Sequence, residues 1–293
     1  MKVEKLDDKN FEHHNLLVKF IRIFSVPLLN YLPSFFIKKI MVVSSRDSRI
    51  AVKYGGSTHA LEGMYGRYER KLFSRGFFQG IADLFWHHCL SQPKAVRNRL
   101  KIVGMSLMEE IVNTDIQDKE KNITILTIAG GSTRAIIQSF YNLKKRINCK
   151  IKIINIDKSE KALNLSKEIA RKFNLYENFE WINEDARNIK SLIPKNSIDV
   201  VEMVGLLDYF SEEKSINVIS QIYDSLKVGG LFIVGNICPN KEELFIHKIG
   251  WPQMYYRNPA DLSKILELSG FDIKKGKIIF EPLKCHIIAV IKK

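Results

Sequence analysis

Residues 123–136 read ITILTIAGGSTRAI, and this stretch decides the fold that the sequence predicts. Its first six residues are rich in β-branched side chains, which is typical of a strand buried on both faces. Gly130 and Gly131 follow, and a helical pattern begins near Thr133. Small residues between a strand and a helix let a ligand approach the backbone, and the helix start offers free N–H groups. The stretch predicts a nucleotide-type site, and a plain tight turn is the structural alternative.

The rest of the chain beyond residue 122 repeats this alternation of strands and helices. Strands are predicted at 150–156, 179–183, 198–204 and 229–237, with two more at roughly 272–280 and 284–291. Helices are predicted at about 133–146, 159–173 and 212–226, and a further one follows Pro259. The alternation predicts βαβ units and a doubly wound, largely parallel sheet.

The first 118 residues have a different character. They show helical periodicity, which Gly55 and Gly56 interrupt, and the polar stretch 113–122 separates them from the region of alternating strands. No apolar periodicity crosses that stretch, so we place a domain boundary there. We expect an N-terminal helical cap or lid over residues 1–118 and a second domain over residues 119–293.

The composition limits the classes of partner and compartment. Lys and Arg number 46 against 32 Asp and Glu, a net charge of +14 that favours acidic partners. No nucleic-acid-binding motif accompanies the charge, so no nucleic acid is expected. The cysteines, at positions 89, 149, 238 and 285, form no CxxC pair. A metal site or a disulfide framework is therefore not expected, and a cytoplasmic location is predicted, with no signal peptide.

A short uncharged segment near the N-terminus raises the question of a membrane. Residues 23–37 carry no charge, but prolines at 27 and 33 interrupt them and the segment is shorter than the roughly 20 residues of a spanning helix. An amphipathic anchor on a membrane surface is one interpretation. We favour the other, in which residues 15–43 form a helix pair that breaks at the prolines and packs on the main domain.

Two acidic positions strengthen the prediction of a nucleotide site. Asp157 follows the strand at 150–156 and lies 26 residues after Gly131, the spacing of one helix plus one strand. Its carboxylate can accept hydrogen bonds from ribose hydroxyls, and capping of the next helix is compatible with that role. Asp185 and Ala186 end the next strand, where they can meet an adenine ring. A dehydrogenase would need G-x-G-x-x-G, which is absent.

In this order, the segments resemble class I S-adenosylmethionine-dependent methyltransferases, whose fold is Rossmann-like. LKVGG at 226–230 is similar to the family's LKPGG turn before strand five. AGGSTRA at 129–135 is similar to the AG..TRA pattern of the leucine carboxyl methyltransferase-like branch. The resemblance covers about residues 95–293. It implies a seven-stranded sheet with an antiparallel last strand, transferase activity and S-adenosyl-L-methionine as cofactor.

The resemblance also implies which residues bind the cofactor. It places them at Ala129, Gly130, Gly131, Ser132, Thr133, Asp157, Lys158, Asp185, Ala186 and Gly205. The first five would meet the methionine part, Asp157 the ribose and Asp185 with Ala186 the adenine. The family commonly has an acidic residue where Thr127 stands, and glycines where Ala129 and Thr133 stand. These departures leave open how the cofactor's amino group is held.

Residues for catalysis and for substrate binding are expected at the carboxyl ends of the strands and in the cap. The catalytic candidates are Tyr209, Tyr65 and Asn236, and the substrate-binding candidates are Tyr54, Tyr68, Tyr255, Tyr256 and Arg257. Aromatic faces can stabilise a sulfonium, and an Arg can hold a carboxylate with two parallel hydrogen bonds. Structural alternatives exist: Tyr209 can be a packing residue, Asn236 a turn residue, and residues 255–257 can pin an insertion to the sheet.

The predicted function is methyl transfer to a small molecule, such as a carboxylate or a lipid-like acid, in small-molecule or secondary metabolism. In-line displacement at the methyl carbon mainly requires alignment of the nucleophile and exclusion of water. One alternative attacks the aminocarboxypropyl arm of the same cofactor. Cyclisation then gives azetidine-2-carboxylate and methylthioadenosine, or a second nucleophile takes up the arm. A non-enzymatic binding protein is a further alternative. The sequence indicates neither the acceptor nor the oligomeric state.

Overall fold

The computed structural model describes residues 1–66, 76–117, 122–143, 147 and 149–293. Eight strands form one sheet in the order β1-β7-β8-β6-β5-β2-β3-β4. They are β1 (Lys2–Lys5), β2 (Asn122–Ile128), β3 (Lys150–Ile156), β4 (Phe179–Ile182), β5 (Ile198–Val204), β6 (Leu226–Ile237), β7 (Gly276–Phe280) and β8 (His286–Lys292). Strand β8 runs antiparallel to both of its neighbours, and the other pairs are parallel.

Twelve α-helices in the described residues connect and cover these strands. Before β2 lie α1 (Leu16–Tyr31), α2 (Ser34–Ser44), α3 (Arg46–Tyr54), α4 (Thr58–Tyr65), α5 (Phe77–Leu84) and α6 (Ser91–Gln117). After β2 come α7 (Arg134–Leu143), α8 (Glu160–Lys172), α9 (Ile189–Leu192), α10 (Glu212–Ser225), α11 (Glu243–Lys248) and α12 (Pro259–Leu268). Side-chain caps define many starts, as where Asn258 and Asp261 form a capping box at α12.

The predicted doubly wound sheet with an antiparallel last strand is confirmed, but the predicted strand number is wrong by one. The eighth strand is β1, which pairs with the edge of β7 and lies within residues predicted to be helical. Its sequence, KVEK, has a single apolar residue, and Glu4 forms ion pairs with Lys2 and Lys277. Charged edge strands are common because they discourage unwanted pairing, and the same charge removes the hydrophobic pattern that predicts a strand.

Both faces of the sheet are covered by helices. On one face, buried residues of β2 and β5 pack with α10 and α12 around Phe232 and Leu262. On the other face, Ile125 and Ile153 pack with α6 and α7. A third cluster joins α1 to α4 with α11 around Trp86 and Phe245. Burial on both sides explains why the central strands read as nearly continuous apolar runs.

The division into residues 1–118 and 119–293 stays a prediction, and residues 118–121 lie outside the described part. The N-terminal region is connected to the sheet in two ways. Strand β1 is part of the sheet, and α6 packs against α7 and β8. The predicted helix pair at residues 15–43 is present as α1 and α2, which Leu32 and Pro33 separate. The predicted break at Pro27 is wrong, because Pro27 lies inside α1.

Candidate active site

The site begins where the strand order reverses. Strand β2 has β3 on one side and β5 on the other, and the chain proceeds outward in both directions from it. The loops that follow these three parallel strands therefore leave a crevice at the carboxyl edge of the sheet, which is where ligands bind in such folds.

The turn after β2 keeps a glycine-like backbone at positions that are not glycine. Ala129 and Thr133 both have φ of 50°, and Gly131 has φ of 57°. The left-handed region is unfavourable for residues with a Cβ, by about 1 kcal/mol or more each. Ala129 N–H donates to the carbonyl of Ile156 at 2.8 Å, which fixes the turn. The resemblance implies glycines at these two positions, and Ala129 and Thr133 adopt a glycine-like backbone there.

Asp157 links this turn to the next strand. Its Oδ2 accepts from Gly131 N–H at 3.0 Å and its Oδ1 from Ser159 N–H at 2.8 Å. Burial raises the pKa of the carboxyl, while the two N–H donors oppose that shift. Each carboxylate oxygen accepts one of these bonds and keeps a second lone pair. The side chain can therefore hold two hydroxyl groups without giving up its structural bonds.

One cavity collects the residues that the resemblance implies. It encloses about 1160 Å³, and all ten predicted cofactor-binding residues line it, from Ala129 to Gly205. Tyr54, Tyr65 and Tyr209 line it as well. The cavity is larger than most sites for a single small ligand, so it has room for the cofactor and a small acceptor together. The donor groups and the small residues of its wall fit S-adenosyl-L-methionine.

Asp185 lies at the rim of this cavity with its carboxylate already paired. Arg187 donates to both of its oxygens, at 2.8 and 2.9 Å, and this pairing lowers the pKa of Asp185. The carboxylate also accepts from the N–H of Arg187 and so begins a short helical turn. Ala186 beside it is buried and lines the cavity, and its small apolar side chain leaves room for a ring.

A buried carboxylate that the sequence analysis missed lies beneath the glycine turn. Thr127 pairs with Glu202 across β2 and β5, and its hydroxyl donates to Glu202 Oε2 at 2.6 Å. Burial raises the pKa of Glu202 to about 7. Glu202 also lines the cavity. An acidic group thus stands next to position 127, supplied by the neighbouring strand. The signal in the sequence was the acidic residue within IDVVEMV, because a charge inside a buried strand is unusual.

A buried cation was missed as well. Arg99 of α6 is 3% exposed and lines the cavity, with Nη1 lying 4.0 Å from Asp208 Oδ2. Burial alone would lower its pKa, but Tyr65 and Asp208 outweigh this effect and the pKa lies above its ordinary value. A charged residue in a helical segment normally indicates a surface position, so the sequence held no signal for this one.

A small recess of about 50 Å³ adjoins the cavity at Arg99. The recess shares Arg99, Gly205 and Tyr209 with the cavity wall and adds His286 and Trp251. Within the described part of the chain, neither ring nitrogen of His286 has a hydrogen-bond partner, and burial holds the pKa of His286 well below its ordinary value. Trp251 Nε1 donates to the hydroxyl of Tyr209 at 2.9 Å, and burial raises the pKa of Tyr209 to about 12. Tyr209 therefore stays a neutral donor.

Four predicted site residues are absent from the described lining of this cavity. They are Asn236, Tyr255, Tyr256 and Arg257. Arg257 is buried and donates to the carbonyls of Leu207 and Phe210 and to Asn236 Oδ1. Asn236 in turn donates to the carbonyl of Tyr255 at 2.9 Å. This arrangement favours the structural alternative, in which the insertion is pinned to the sheet. Tyr68 lies outside the described residues.

Comparison with known proteins gives a family and a fold. A family model for a methyltransferase domain matches residues 119–278. No curated protein matches the chain. A solved structure from Bordetella parapertussis, described as a possible exported protein, is 14% identical, covers 80% of this chain and 79% of its own, and has a TM-score of 0.64.

Two solved methyltransferases also resemble the chain. The S-adenosylmethionine-dependent methyltransferase SibL, in its apo form, is 13% identical over 94% of this chain and 76% of its own, with a TM-score of 0.53. Magnesium protoporphyrin IX methyltransferase from Synechocystis PCC 6803, with bound SAH, is 17% identical over 70% of this chain and 88% of its own, with a TM-score of 0.52. At these identities the likeness is one of fold.

Proposed function

Because the chain belongs to the methyltransferase-domain family, whose model matches more than half of its length, we propose that it methylates a small molecule with an acidic group. The chain is an S-adenosylmethionine-dependent transferase, and S-adenosyl-L-methionine is its cofactor. When bound, the cofactor supplies a methyl group on a positively charged sulfur. The work left to the protein is to align the acceptor with that methyl group and to exclude water.

The cofactor-binding assignment follows the cavity wall. We assign the ribose to Asp157, because its buried carboxylate keeps lone pairs free beside its two backbone donors. The adenine is assigned to the apolar surface at Ala186, and the methionine part to the turn at Ala129–Thr133. Glu202, next to Thr127, is a candidate for the cofactor's ammonium group because it is the acidic side chain under that turn.

The single observation that carries the acidic acceptor is Arg99. A guanidinium that is 3% exposed and still borders a ligand-sized cavity is a strong site for an anion, since little water competes for it. Tyr65 next to it and Tyr209 across the recess are neutral donors, because burial raises the pKa of both. They can direct a carboxylate or another oxygen of the acceptor, and their ring faces can stabilise a sulfonium.

A second candidate function uses the same cofactor differently. Attack on the aminocarboxypropyl arm, with release of methylthioadenosine, needs a neutral amine as nucleophile when the product is azetidine-2-carboxylate. Glu202 favours this candidate, because a carboxyl group with a pKa of about 7 can accept a proton near neutral pH. Methyl transfer remains the first choice since family membership supports it directly.

The leftover nucleoside distinguishes the two chemistries. Pure protein is incubated with S-adenosyl-L-methionine alone, and then with a small-molecule extract divided by anion exchange into retained and unretained fractions. S-adenosylhomocysteine, above a boiled-protein control and with the retained fraction only, is the expected result. S-adenosylhomocysteine with the unretained fraction only would overturn the acidic acceptor. Methylthioadenosine without any acceptor would establish cyclisation instead.

A variant of Arg99 tests the anion site itself. In Arg99→Gln we expect the calorimetric affinity for S-adenosylhomocysteine to change by less than about threefold, while methylation with a limiting amount of the retained fraction falls by about tenfold or more. Arg171→Gln, the same charge change outside the cavity lining, is the control. Arg99→Lys guards against misfolding because it keeps the charge. An equal loss of S-adenosylhomocysteine affinity would assign Arg99 to the cofactor's carboxylate instead.

A cytoplasmic location and a role in small-molecule or secondary metabolism belong to the same proposal. The four cysteines are buried thiols outside any disulfide, which suits a reducing compartment. Fractionation of cells that express the chain, with blotting of each fraction, tests the location.

A further inference from the structure

The outer side of the first two helices exposes a large apolar surface, which we call the apolar face. Its members are Leu16, Leu17, Phe20, Ile23, Phe24, Leu28 and Tyr31 of α1 and Phe35, Phe36, Ile40 and Val43 of α2, each at least 49% exposed. Single exposed apolar residues are normal in any protein. A contiguous set of this size marks a surface that binds something else.

The spacing of these residues places them on one side of each helix. Along α1 they recur every three or four residues, as Phe20, Ile23 or Phe24 and Leu28 do, which corresponds to one helical stripe. On the opposite side of α1, Val26 and Leu29 are buried, and Leu29 belongs to the cluster around Phe245. The helix pair is therefore packed on the body of the protein, as expected, and its second apolar side is left over.

Helix α2 repeats this arrangement and extends the surface. Ile37 and Met41 are buried in the same cluster, whereas Phe35 and Val43 are 70% exposed. Because α1 and α2 both bury one side against α11, their exposed sides face away from the protein body together. Helix α5 packs against α2 and adds Phe78, which is 86% exposed.

The charged residues of α1 and α2 themselves are of one sign. Neither α1 nor α2 contains an acidic residue, and Lys19, Lys38 and Lys39 are exposed beside the apolar stripe. The whole chain carries a net charge of +14. An anionic surface would attract this region, and the long lysine side chains can reach a headgroup layer while the helices lie below it.

We propose that the apolar face lies in the surface of an anionic phospholipid bilayer, with α1 and α2 parallel to the membrane plane. Neither helix is a spanning segment, since no helix in the described part of the chain is long and apolar enough to cross a membrane. Helices with one apolar and one cationic or packed side bind instead at the boundary of headgroups and acyl chains. This inference does not depend on the proposed reaction.

Charge distinguishes this partner from a second copy of the chain. A symmetric dimer brings the same patch of both subunits together. Lys19, Lys38 and Lys39 of both subunits would then lie at that interface, and neither helix has an acidic residue to neutralise them. Like charges across an interface disfavour association, whereas anionic headgroups neutralise all three.

Flotation of the full chain with vesicles tests the proposal. Vesicles of phosphatidylcholine alone are compared with vesicles of equal parts phosphatidylcholine and phosphatidylglycerol. We expect binding to the anionic vesicles, weakened by added salt. The double variant F20E/F24E should lower the bound fraction by about tenfold or more, because it places charges in the apolar stripe. Val228→Glu is the matched control, since Val228 is 89% exposed and lies at the start of β6.

A second variant and a second measurement complete the test. K38E/K39E should weaken binding to the anionic vesicles while leaving the melting temperature unchanged. Light scattering of the protein without vesicles shows whether it forms a dimer, which is the competing arrangement. Failure to float with either vesicle would overturn the proposal, and so would a dimer that F20E/F24E converts to a monomer. Equal loss of binding in V228E would show that the apolar face is not the contact.

Discussion

Asp157 is a charged side chain that is 8% exposed, whereas Phe24 is an apolar side chain that is 65% exposed. Each violates the usual preference of its residue type, but only the first is compensated inside the chain. Asp157 accepts from two backbone N–H groups, and Glu202 accepts from Thr127. The apolar face has no such cover in the described residues. The cavity is thus complete within the fold, while the apolar face is complete only with a partner.

The largest effect is expected in the cavity, at the buried residue of this comparison, Asp157. Asp157→Ala should weaken S-adenosylhomocysteine binding by about 100-fold or more in calorimetry, because two hydrogen bonds to a charged acceptor are lost. Asp157→Asn, which keeps one carbonyl oxygen, should lose less. Vesicle binding of both variants should equal that of the unmodified chain. Unchanged S-adenosylhomocysteine affinity in Asp157→Ala would show that this carboxylate does not bind the ribose.

Two neighbouring residues of α2 sharpen the comparison within one helix. Ile37 is fully buried and Phe36 is 55% exposed. Ile37→Ala should lower the free energy of unfolding by about 3 kcal/mol in urea titrations, since it leaves a cavity. Phe36→Ala should change it by less than about 0.5 kcal/mol. A similar cost at both positions would show that the fold itself covers Phe36, contrary to an exposed face.

Glu202 gives a pH dependence that surface carboxylates do not. Burial raises its pKa from 4.5 to about 7, so between these values the folded chain binds more protons than the unfolded chain. This group's contribution to stability therefore falls as the pH rises through that window. Relative to Glu202→Gln, the unmodified chain should lose on the order of 2 kcal/mol between about pH 5 and about pH 8. Parallel pH profiles for the two proteins would place the charge of Glu202 in a solvated environment.

The smallest effect concerns the backbone of the turn. Ala129→Gly should raise the free energy of unfolding by about 0.5 kcal/mol, because glycine accepts φ of 50° without strain but gains freedom when unfolded. Gly205→Ala, at φ of 96°, is the opposite change and should be destabilising. Chemical denaturation measures both. Stabilisation by Gly205→Ala would contradict the strain argument.

Local patterns in the sequence were sufficient for the sheet. The strand at 198–204 and the helix after Pro259 were predicted because apolar period, proline and cap residues all agree locally. The loops after β2, β3 and β5 were predicted to meet because parallel strands end at one edge. The turn at Ala129 and Thr133 shows that family-like backbone can persist without glycine.

Contacts between segments that are distant in the sequence could not be predicted from such local patterns. Arg99 reaches the cavity because α6 packs on the sheet, and its charge reads as a surface feature in the sequence. The guanidinium of Arg257 was predicted to bind a substrate, but it donates to the carbonyls of Leu207 and Phe210, which follow β5, and to Asn236 Oδ1 of β6. The pair of helices α1 and α2 was predicted to pack on the body of the protein. The sequence gives no information about which of the two apolar sides of each helix is covered.

Strand β1 has a consequence for the order in which the chain folds. Its Lys2 pairs with Lys277, so this edge of the sheet closes a loop of almost the entire chain. Closing so long a loop costs conformational entropy before the paired residues gain any stabilising contact, so such pairings form late. An edge strand of four residues is also the first to fray. Because β1 would join the sheet slowly and leave it early, it would act as a reversible strap. Its amide protons would exchange with solvent sooner than those of β2, and their exchange would report the last step of folding.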